Sequence, residues 1–283
     1  MARVTWILHA FSTRACGDLR SPDTPRHAGT ASVRPSVLRK NRQRFLLQLG
    51  ARKFDLVAVR QIHSSTVVQV IRNGTRLEYR PAGYPVAGGV SEVSADALVT
   101  DEPEVLLSVS AADCLPVLIA DLRGLAVAAV HSGWRGALKR TAEKTVGDMR
   151  RIFGSKPRDL IAVLGPSIRS CCYEVGQEVA DAFCWEFVRG EEFFCKPRAS
   201  AEPTATQPGF LSRMPPGHDR LPRPGLCLDL VRAVRDQLES AGVPDRRIHV
   251  MDFCTSCRND MFFSYRREGA AAGRAMAVIG IRS

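Results

Sequence analysis

The feature that most constrains the fold is a series of short apolar runs between about Leu56 and His131. Most have roughly four to eight residues, are rich in β-branched side chains and are bounded by Gly, Asp or Pro, which predicts strands. They include ALVT, VLLSVS, LPVLIAD and LAVAAVH. The opening segment MARVTWILHAF is also predicted as a strand, because its apolar run is short, His9 interrupts it and no small-residue cleavage site follows.

Apolar positions with helical spacing appear after these strands. In GALKRTAEKTVGDMRRIFG, apolar residues recur three or four positions apart from Leu138 to Phe153, and Gly154 follows as a stop signal. This pattern predicts one amphipathic helix. Further helices are predicted over Glu178–Val188 and Leu230–Ser240.

The stretch Pro197–Gly225 carries seven prolines and little apolar periodicity. It predicts a long loop inserted between two elements, either a lid or a disordered segment, and we favour the disordered interpretation.

Composition limits the class of protein. No run approaches the roughly 18–20 consecutive apolar residues of a membrane span, so we expect a cytoplasmic protein with no membrane partner. The nine cysteines are odd in number and irregularly spaced, which favours reduced thiols over a disulfide framework. The net charge of +11 favours an anionic partner. The arginines are nevertheless spread along the chain without a dense basic run, so we expect no nucleic-acid binding.

Three segments concentrate residues with chemical potential. His63 of RQIHS is predicted to lie where a strand begins. Asp113 and Cys114 of SAADCLP are predicted in a tight turn between two strands. His131 of AVHSGWRG is predicted to end a strand, with the glycines of GWRG leading into the helix.

Two imidazoles and one thiolate form a ligand set that suits Zn²⁺, with copper the weaker alternative. Three protein ligands would leave a fourth position open, as in catalytic zinc sites. His63, Cys114 and His131 are far apart along the chain, so spacing alone leaves open a buried thiol with two hydrogen-bonded core histidines.

The GWRG turn also has the features of an anion site. A glycine-rich turn at a helix N-terminus presents free backbone N–H groups. Arg135 adds a planar donor fork that suits phosphate or carboxylate. Many such junctions contain Gly and Arg and bind nothing, so the turn alone leaves open a purely structural role.

Several motifs occur together in one order along the chain. They are FSTR, NR at Asn41–Arg42, RQIH, ADALVT, SAADCLPVLIAD, AVAAVHSGWRG, LGPSIRSCCYEVG, LDL, and CT followed by FFSYRREG and Gly273–Arg274. On these motifs the chain resembles the laccase-domain or polyphenol-oxidase-like family. Its members are also described as multifunctional purine nucleoside phosphorylases and peptidoglycan editing factors. After FSTR the chain departs from the family pattern, since ACGDLRSPDTPRHAGTASV replaces a Gly-Gly-Val-Ser turn and an Asn-Leu-Gly motif.

The resemblance implies an α+β fold, in which a mixed two-sheet sandwich is flanked by helices in αββα-type layers. A single domain would span residues 1–283, with the Pro-rich loop at about 197–225 inserted in it. The resemblance also implies one catalytic Zn²⁺ held by His63, Cys114 and His131.

Other site residues follow from the same motifs. Asp113, beside the ligand Cys114, is a candidate general base or a residue that orients the ligands. Arg135 is the candidate phosphate-binding residue. Tyr173 is predicted to stack on a purine base, although packing in the protein is as good an explanation. The remaining predicted substrate contacts are Arg14 of FSTR, Gln61 of RQIH and Gly133 of HSGWRG.

The activity implied by the resemblance is that of a zinc-dependent purine nucleoside enzyme. It would phosphorolyse adenosine, inosine, guanosine or methylthioadenosine and deaminate adenosine at the same site. The alternative is a peptidoglycan-editing amidase that acts on UDP-muramyl-amino acid precursors. A copper-dependent phenol oxidase is disfavoured, because the six histidines include no His-x-His pair. The expected partners are a nucleoside and phosphate, and the expected state is a monomer or homodimer.

A C-x-x-C motif, Cys254 to Cys257, is left over. A structural zinc site would need a second pair of cysteines, for which Cys171–Cys172 is the only close candidate. Because the resemblance covers the CT of this motif, we interpret Cys254 as a buried thiol near the pocket and expect no second metal.

Overall fold

Strands and helices alternate irregularly along the chain. The computed structural model describes residues 4–20, 33–81, 93–124, 126–196 and 225–283. The strands are β1 (Ile7–Phe11), β2 (Asp55–Val57), β3 (Val67–Asn73), β4 (Arg76–Pro81), β5 (Ala97–Thr100), β6 (Val105–Ala111), β7 (Leu115–Asp121), β8 (Val127–Ser132), β9 (Leu160–Leu164), β10 (Phe194–Cys195), β11 (Cys227–Leu228), β12 (Ile248–Val250) and β13 (Ala275–Ile281). The helices are α1 (Pro35–Gln48), α2 (Trp134–Leu138), α3 (Thr141–Phe153), α4 (Gln177–Glu186), α5 (Leu230–Ser240) and α6 (Tyr265–Glu268).

Two mixed sheets dominate the architecture. The larger has seven strands in the order β12-β9-β7-β8-β5-β3-β4, and the smaller has four in the order β1-β13-β6-β2. Strands β7, β8 and β9 pair antiparallel, whereas β12 runs parallel to β9 and β3 runs parallel to β5. A short pair, β10 and β11, forms a separate ladder.

The central strand β8 shows why the apolar runs are continuous. Its side chains alternate between two faces, as in any strand. Ala128 and Val130 pack into the core beneath the helices, whereas Val127 and Ala129 pack into the core between the two sheets. Both faces are therefore buried, and every residue of β8 is buried.

Helices cover both outer faces of the sandwich. Residues of α3, α4 and α5 fill the core on the outer face of the seven-stranded sheet. On the opposite side, Phe45 of α1 packs with Leu106 and Val278 from the outer face of the four-stranded sheet. These layers confirm the predicted αββα arrangement in one α+β domain.

The predicted helices are confirmed with one correction. Helix α5 has the predicted bounds, and α4 lies within two residues of its prediction. The single helix predicted over GALKRTAEKTVGDMRRIFG is wrong, because α2 ends at Leu138 and α3 begins at Thr141. Between them Arg140 adopts a left-handed conformation (φ 59°) and its guanidinium binds Glu143 and Glu186.

The first strand is also confirmed as β1. The inserted loop predicted at about 197–225 lies outside the described residues, apart from Gly225. None of the helices in the described part of the chain is long and apolar enough to cross a membrane.

Candidate metal centre

One edge of the seven-stranded sheet brings the predicted ligands together. Leu115, the first residue of β7, pairs with Ser132 at the end of β8. Ala97 at the start of β5 pairs with Val130 of β8 and with Val67 at the start of β3. The segments that precede β3, β5 and β7 and the end of β8 therefore meet at one edge.

The three predicted metal ligands lie at this edge. Their ligand atoms are all within 4.8 Å of one another. His63 Nε2 lies 3.9 Å from Cys114 Sγ, and the His63 and His131 ring centroids are 5.0 Å apart. Cys114 and His63 remain accessible to solvent, whereas His131 is buried. His63 does not begin a strand, as was predicted, but lies in a loop four residues before β3.

The geometry of this group suits a metal ion. Tetrahedral zinc, with Zn–S and Zn–N bonds of about 2.3 and 2.0 Å, places S and N ligands about 3.5 Å apart, close to the observed separation. A Cβ at Gly133 would lie 2.8 Å from Cys114 Sγ and 3.3 Å from His63 Cδ2, so only glycine leaves room here. The described residues thus contain a His₂Cys group that could hold a metal through three ligands.

A buried carboxylate, Asp96, organises both histidines. Its Oδ1 lies 2.9 Å from His131 Nδ1 and accepts a hydrogen bond of 3.0 Å from the backbone N–H of His63. Its Oδ2 accepts the backbone N–H and the hydroxyl of Ser64 at 2.5 and 2.7 Å. The bond to Nδ1 leaves Nε2 of His131 facing the metal position, as outer carboxylates do for metal-binding histidines.

Asp96 stays ionised in this environment. Burial acts to raise its pKa, but hydrogen bonds and charge from His131, together with the donors of Ser64, lower it to about 2. The sequence analysis missed this residue, although it lies in the ADALVT motif. The available signal was a lone acid within an otherwise apolar run.

The ligands themselves form a strongly coupled charge pair. Burial opposes ionisation of Cys114, yet His131 and then His63 bring the pKa of its thiol down to about 6. Burial also opposes a charged His131, but Cys114 and Asp96 raise its pKa to about 10. The pocket thus favours a Cys114 thiolate opposite a positive charge. A metal ion would supply that charge in place of the proton on His131, because ligating imidazoles are neutral.

Two residues at the centre have unusual backbone conformations. His63 and Asp113 have positive φ angles of 56° and 84°, in the region that favours glycine. Such conformations are concentrated at functional sites, where the surrounding contacts hold them. Here three backbone N–H groups, of Ile62, His63 and Ser64, converge on Asp96, which holds the turn.

Asp113 is buried, and protein groups occupy both of its oxygens. Oδ1 accepts the Thr255 hydroxyl at 2.6 Å, and Oδ2 accepts the Arg266 backbone N–H at 2.6 Å. The Asp113 carbonyl accepts the backbone N–H of Ile168 at 2.9 Å. Asp113 therefore ties the turn before Cys114 to three other segments of the chain.

Arg135 and Tyr173 lie in the same charged environment. The Arg135 guanidinium lies 4.2 Å from the Trp134 ring centroid, and that of Arg266 lies 5.6 Å from the Tyr173 ring centroid. Burial and the nearby Cys114 raise the pKa of the Tyr173 phenol, while Arg266 and Arg135 act in the opposite direction. Helix α2 has only five residues, so the predicted anion site depends more on arginine side chains than on a helix dipole.

Two residues predicted to contact substrate, Gln61 and Arg14, also make hydrogen bonds within the protein. The Gln61 amide binds the backbone N–H and C=O of Ser110, both at 2.8 Å. The Arg14 guanidinium pairs with Glu268 at 2.8 Å and lies over the Phe263 ring. Both side chains therefore connect segments that are distant in sequence.

Comparison with known proteins identifies the family. Residues 8–282 match the family model described as multi-copper polyphenol oxidoreductase laccase. The chain belongs to this family. The resemblance inferred from the motifs is thereby confirmed. The family's description mentions copper. Among the described residues, the only histidine-containing group that could hold a metal ion is the His₂Cys group.

Relatives with named activities cover most of the chain. A purine nucleoside phosphorylase of Deinococcus radiodurans is 34% identical over 276 residues, which are 97% of this chain and 89% of that protein. A protein named adenosine deaminase RL5, from an unknown prokaryotic organism, is 31% identical and covers 82% of this chain and 78% of its own length. A Bacteroides thetaiotaomicron purine nucleoside phosphorylase is 36% identical, but its match spans 66% of this chain and 60% of that protein.

A solved structure confirms the fold. The Bacillus licheniformis hypothetical protein YfiH superposes with a TM-score of 0.73 at 27% identity, covering 98% of this chain and 93% of that chain. The match extends over both sheets and the helices that flank them.

Proposed function

We propose that this protein is a zinc-dependent purine nucleoside enzyme. It phosphorolyses adenosine, inosine, guanosine or methylthioadenosine and deaminates adenosine at the same site. The observation that carries this proposal is the convergence of His63, Cys114 and His131 at one sheet edge, with ligand atoms within 4.8 Å. The names of the relatives, purine nucleoside phosphorylase and adenosine deaminase, support the substrate class.

The ligand set supports zinc rather than copper. One thiolate and two imidazoles are borderline-soft donors that zinc accepts in a tetrahedral arrangement. A bound zinc ion with an open fourth position supplies Lewis acidity and lowers the pKa of water at that position toward neutrality. That property suits hydrolytic removal of an amino group from a purine.

The protein's own residues prepare the site. Asp96 accepts a hydrogen bond from His131 Nδ1–H, which leaves Nε2 as the ligand atom. It also fixes His63 through its backbone N–H. Gly133 admits the Cys114 sulfur and the His63 ring at close range. These contacts hold the three ligands before substrate arrives, so little reorganisation is required.

Arginine side chains supply the anion-binding part of the site. Arg135 and Arg266 both act electrostatically on Tyr173, next to Cys114. Phosphate is recognised best by planar guanidinium groups, which donate two parallel hydrogen bonds. We assign phosphate binding to Arg135 and assign Tyr173 to contact with the purine ring, because an aromatic face beside a cation can stack on a base. Asp113 is assigned a positioning role, since Thr255 and Arg266 occupy its oxygens.

The test is a nucleoside panel with defined metal content. The protein, prepared metal-free and then loaded with Zn²⁺ or Cu²⁺, is incubated with each nucleoside with and without phosphate. We expect free base only when zinc and phosphate are both present, and inosine from adenosine with zinc alone. Cys114→Ser abolishes both reactions. The control variant Cys184→Ser replaces an exposed cysteine on α4 and leaves both reactions unchanged. Hydrolysis of a UDP-muramyl precursor carrying L-Ser, without nucleoside turnover, would contradict the proposal, as would activity with copper alone.

A further inference from the structure

A second group of potential ligands lies outside the His₂Cys centre. Within the described part of the chain, Cys171, Cys172, Cys254 and Cys257 have their sulfur atoms within 4.8 Å of one another. The sequence analysis noted both pairs but expected no second metal. The pairs are about 80 residues apart in sequence and come together only in the folded chain.

Strand topology explains why the pairs meet. Strands β9 and β12 are parallel neighbours, with Val250 opposite Leu164. The loops that follow them leave the sheet at the same edge. A bridge between Ser167 and Cys254 extends the pairing, and the Thr255 backbone N–H donates to the Ser167 carbonyl at 3.0 Å.

The distances between the sulfur atoms suit coordination. Cys171 Sγ lies 3.6 Å from Cys257 Sγ and 3.8 Å from Cys172 Sγ, and Cys172 Sγ lies 3.4 Å from Cys257 Sγ. Tetrahedral Zn–S bonds of about 2.3 Å place sulfurs about 3.8 Å apart. A disulfide requires about 2.05 Å, and all nine cysteines are free.

The four thiols differ in how readily they ionise, since burial and neighbouring sulfurs raise the pKa of Cys171 and raise that of Cys257 to about 11. Backbone N–H groups of Cys257 and Arg169 donate to the Cys254 sulfur, so its pKa lies below the ordinary value although burial acts to raise it. The Arg169 guanidinium donates to the Met251 carbonyl, and that of Arg267 donates to the Ser256 carbonyl. Two arginine side chains thus hold the loop that carries Cys254 and Cys257.

We infer that Cys171, Cys172, Cys254 and Cys257 form a second, structural metal site that takes a soft divalent cation, Zn²⁺ above all. Four protein ligands close the coordination sphere, which is the arrangement of structural rather than catalytic zinc. Binding releases the protons that remain on the four sulfurs and leaves a site with a net charge of −2. No oxidant or reductant takes part.

The proposed metal site would hold two loops of the protein together. Thr255, beside Cys254, donates to Asp113 at 2.6 Å, and Ile168 from the other loop donates to the Asp113 carbonyl. The metal would therefore clamp two loops that meet on Asp113, one residue before the ligand Cys114.

Metal content of purified variants tests the inference. Protein is produced with zinc under reducing conditions, and zinc per chain is measured for the wild type, His131→Ala, the double variant Cys171→Ser/Cys257→Ser and the control Cys184→Ser. We expect two zinc ions in the wild type and the control, and one in each of the other two. Both substituted sulfurs of the double variant belong to exposed residues, which limits damage to the core.

Cobalt provides a readout independent of activity. In His131→Ala loaded with Co²⁺, four thiolates give intense sulfur-to-cobalt charge-transfer absorption, and adding Cys171→Ser/Cys257→Ser removes it. Failure of the proposed nucleoside chemistry would leave this signal intact, so the two proposals can fail separately. One zinc per chain in the wild type, unchanged by the double variant, overturns the inference. Isolation of a disulfide among these cysteines from the freshly purified protein also overturns it.

Discussion

The His₂Cys centre and the four-cysteine group lie at the same edge of the seven-stranded sheet but differ in construction. The first takes its ligands from β8 and from the segments before β3 and β7, and a buried carboxylate orients them. The second takes four like ligands from two neighbouring loops, with sulfur contacts of 3.4–3.8 Å.

This difference shows how the number of protein ligands distinguishes a catalytic metal site from a structural one. Three mixed ligands leave a position for substrate or water, and the protein must supply the orientation through Asp96 and Gly133. Four thiolates saturate the ion, so such a site stabilises the loops but offers no place for chemistry. Thr255, which lies between Cys254 and Cys257, donates to Asp113, and Asp113 precedes the ligand Cys114, so the two groups are connected through Asp113.

The largest expected effect comes from removing a ligand of each site in turn. His131→Ala lowers nucleoside turnover by at least roughly 10³-fold, because the metal's stabilisation of the transition state is lost. Cys257→Ser keeps the metal of the first site and lowers the midpoint of thermal unfolding. Turnover measured together with calorimetry checks both. The assignment of a catalytic first site and a structural second site would be wrong if Cys257→Ser abolished turnover while His131→Ala did not.

Next in size is Asp96→Asn. The amide keeps the shape of the side chain but loses the charge that fixes the His131 tautomer and accepts five donors. Zinc affinity of the first site falls about 10–100-fold, and that of the four-cysteine site does not change. Competition with a chromogenic chelator measures the two affinities. An equal loss at both sites would point to general unfolding instead.

Gly133→Ala tests the close approach at the first site. Its Cβ would lie 2.8 Å from Cys114 Sγ, so we expect a loss of about 1–3 kcal/mol in the free energy of unfolding, together with weaker zinc binding. Gly147→Ala is the matched control. It lies within α3 with no atom within 4 Å of the new Cβ, so it stabilises the protein by roughly 0.5–1 kcal/mol. Urea unfolding compares the two variants.

The smallest effect concerns the ion pair between Arg14 and Glu268. Glu268 follows the loop of Cys254 and Cys257 in sequence. Burial acts to raise the pKa of Glu268, but Arg14 and the Ser264 N–H lower it below its ordinary value. The stabilisation is present above the unfolded pKa of about 4.3 and disappears as the pH falls through the folded value. Glu268→Gln therefore costs less than about 1 kcal/mol near pH 7 and nothing in strong acid.

Unfolding measured from pH 7 to pH 3 follows this dependence. If Glu268→Gln lowers the free energy of unfolding by much more than about 1 kcal/mol near neutral pH, the Arg14–Glu268 ion pair is more important to this part of the fold than the cysteine group.

Local patterns predicted much of the fold. The spacing of apolar residues predicted α5 with the observed bounds, and the short β-branched runs predicted the central strands. The single helix after β8 was predicted wrongly, because the periodicity continues through Lys139 and Arg140. At the break, Arg140 adopts a left-handed conformation and binds Glu186, which lies on another helix and is therefore invisible to the local pattern.

The candidate site was predicted through residue types and their resemblance to a family. His63 was placed at the start of a strand, but the Asp96 carboxylate takes the backbone N–H groups that a strand would use. Gln61 and Arg14 were predicted to contact substrate, and the structure shows their hydrogen bonds to Ser110 and Glu268, which the sequence did not indicate.

By itself the sequence determined which elements form and which side chains can bind a metal, because propensity, burial pattern and donor chemistry are local properties. Only the tertiary structure decided which of these side chains meet. Strand pairing brought His63, Asp96, Cys114 and His131 to one edge, and the parallel pair β9 and β12 joined two cysteine pairs that spacing had left separate. The physical reason is that strand order in a sheet depends on long-range packing of both its faces, which no short stretch of sequence contains.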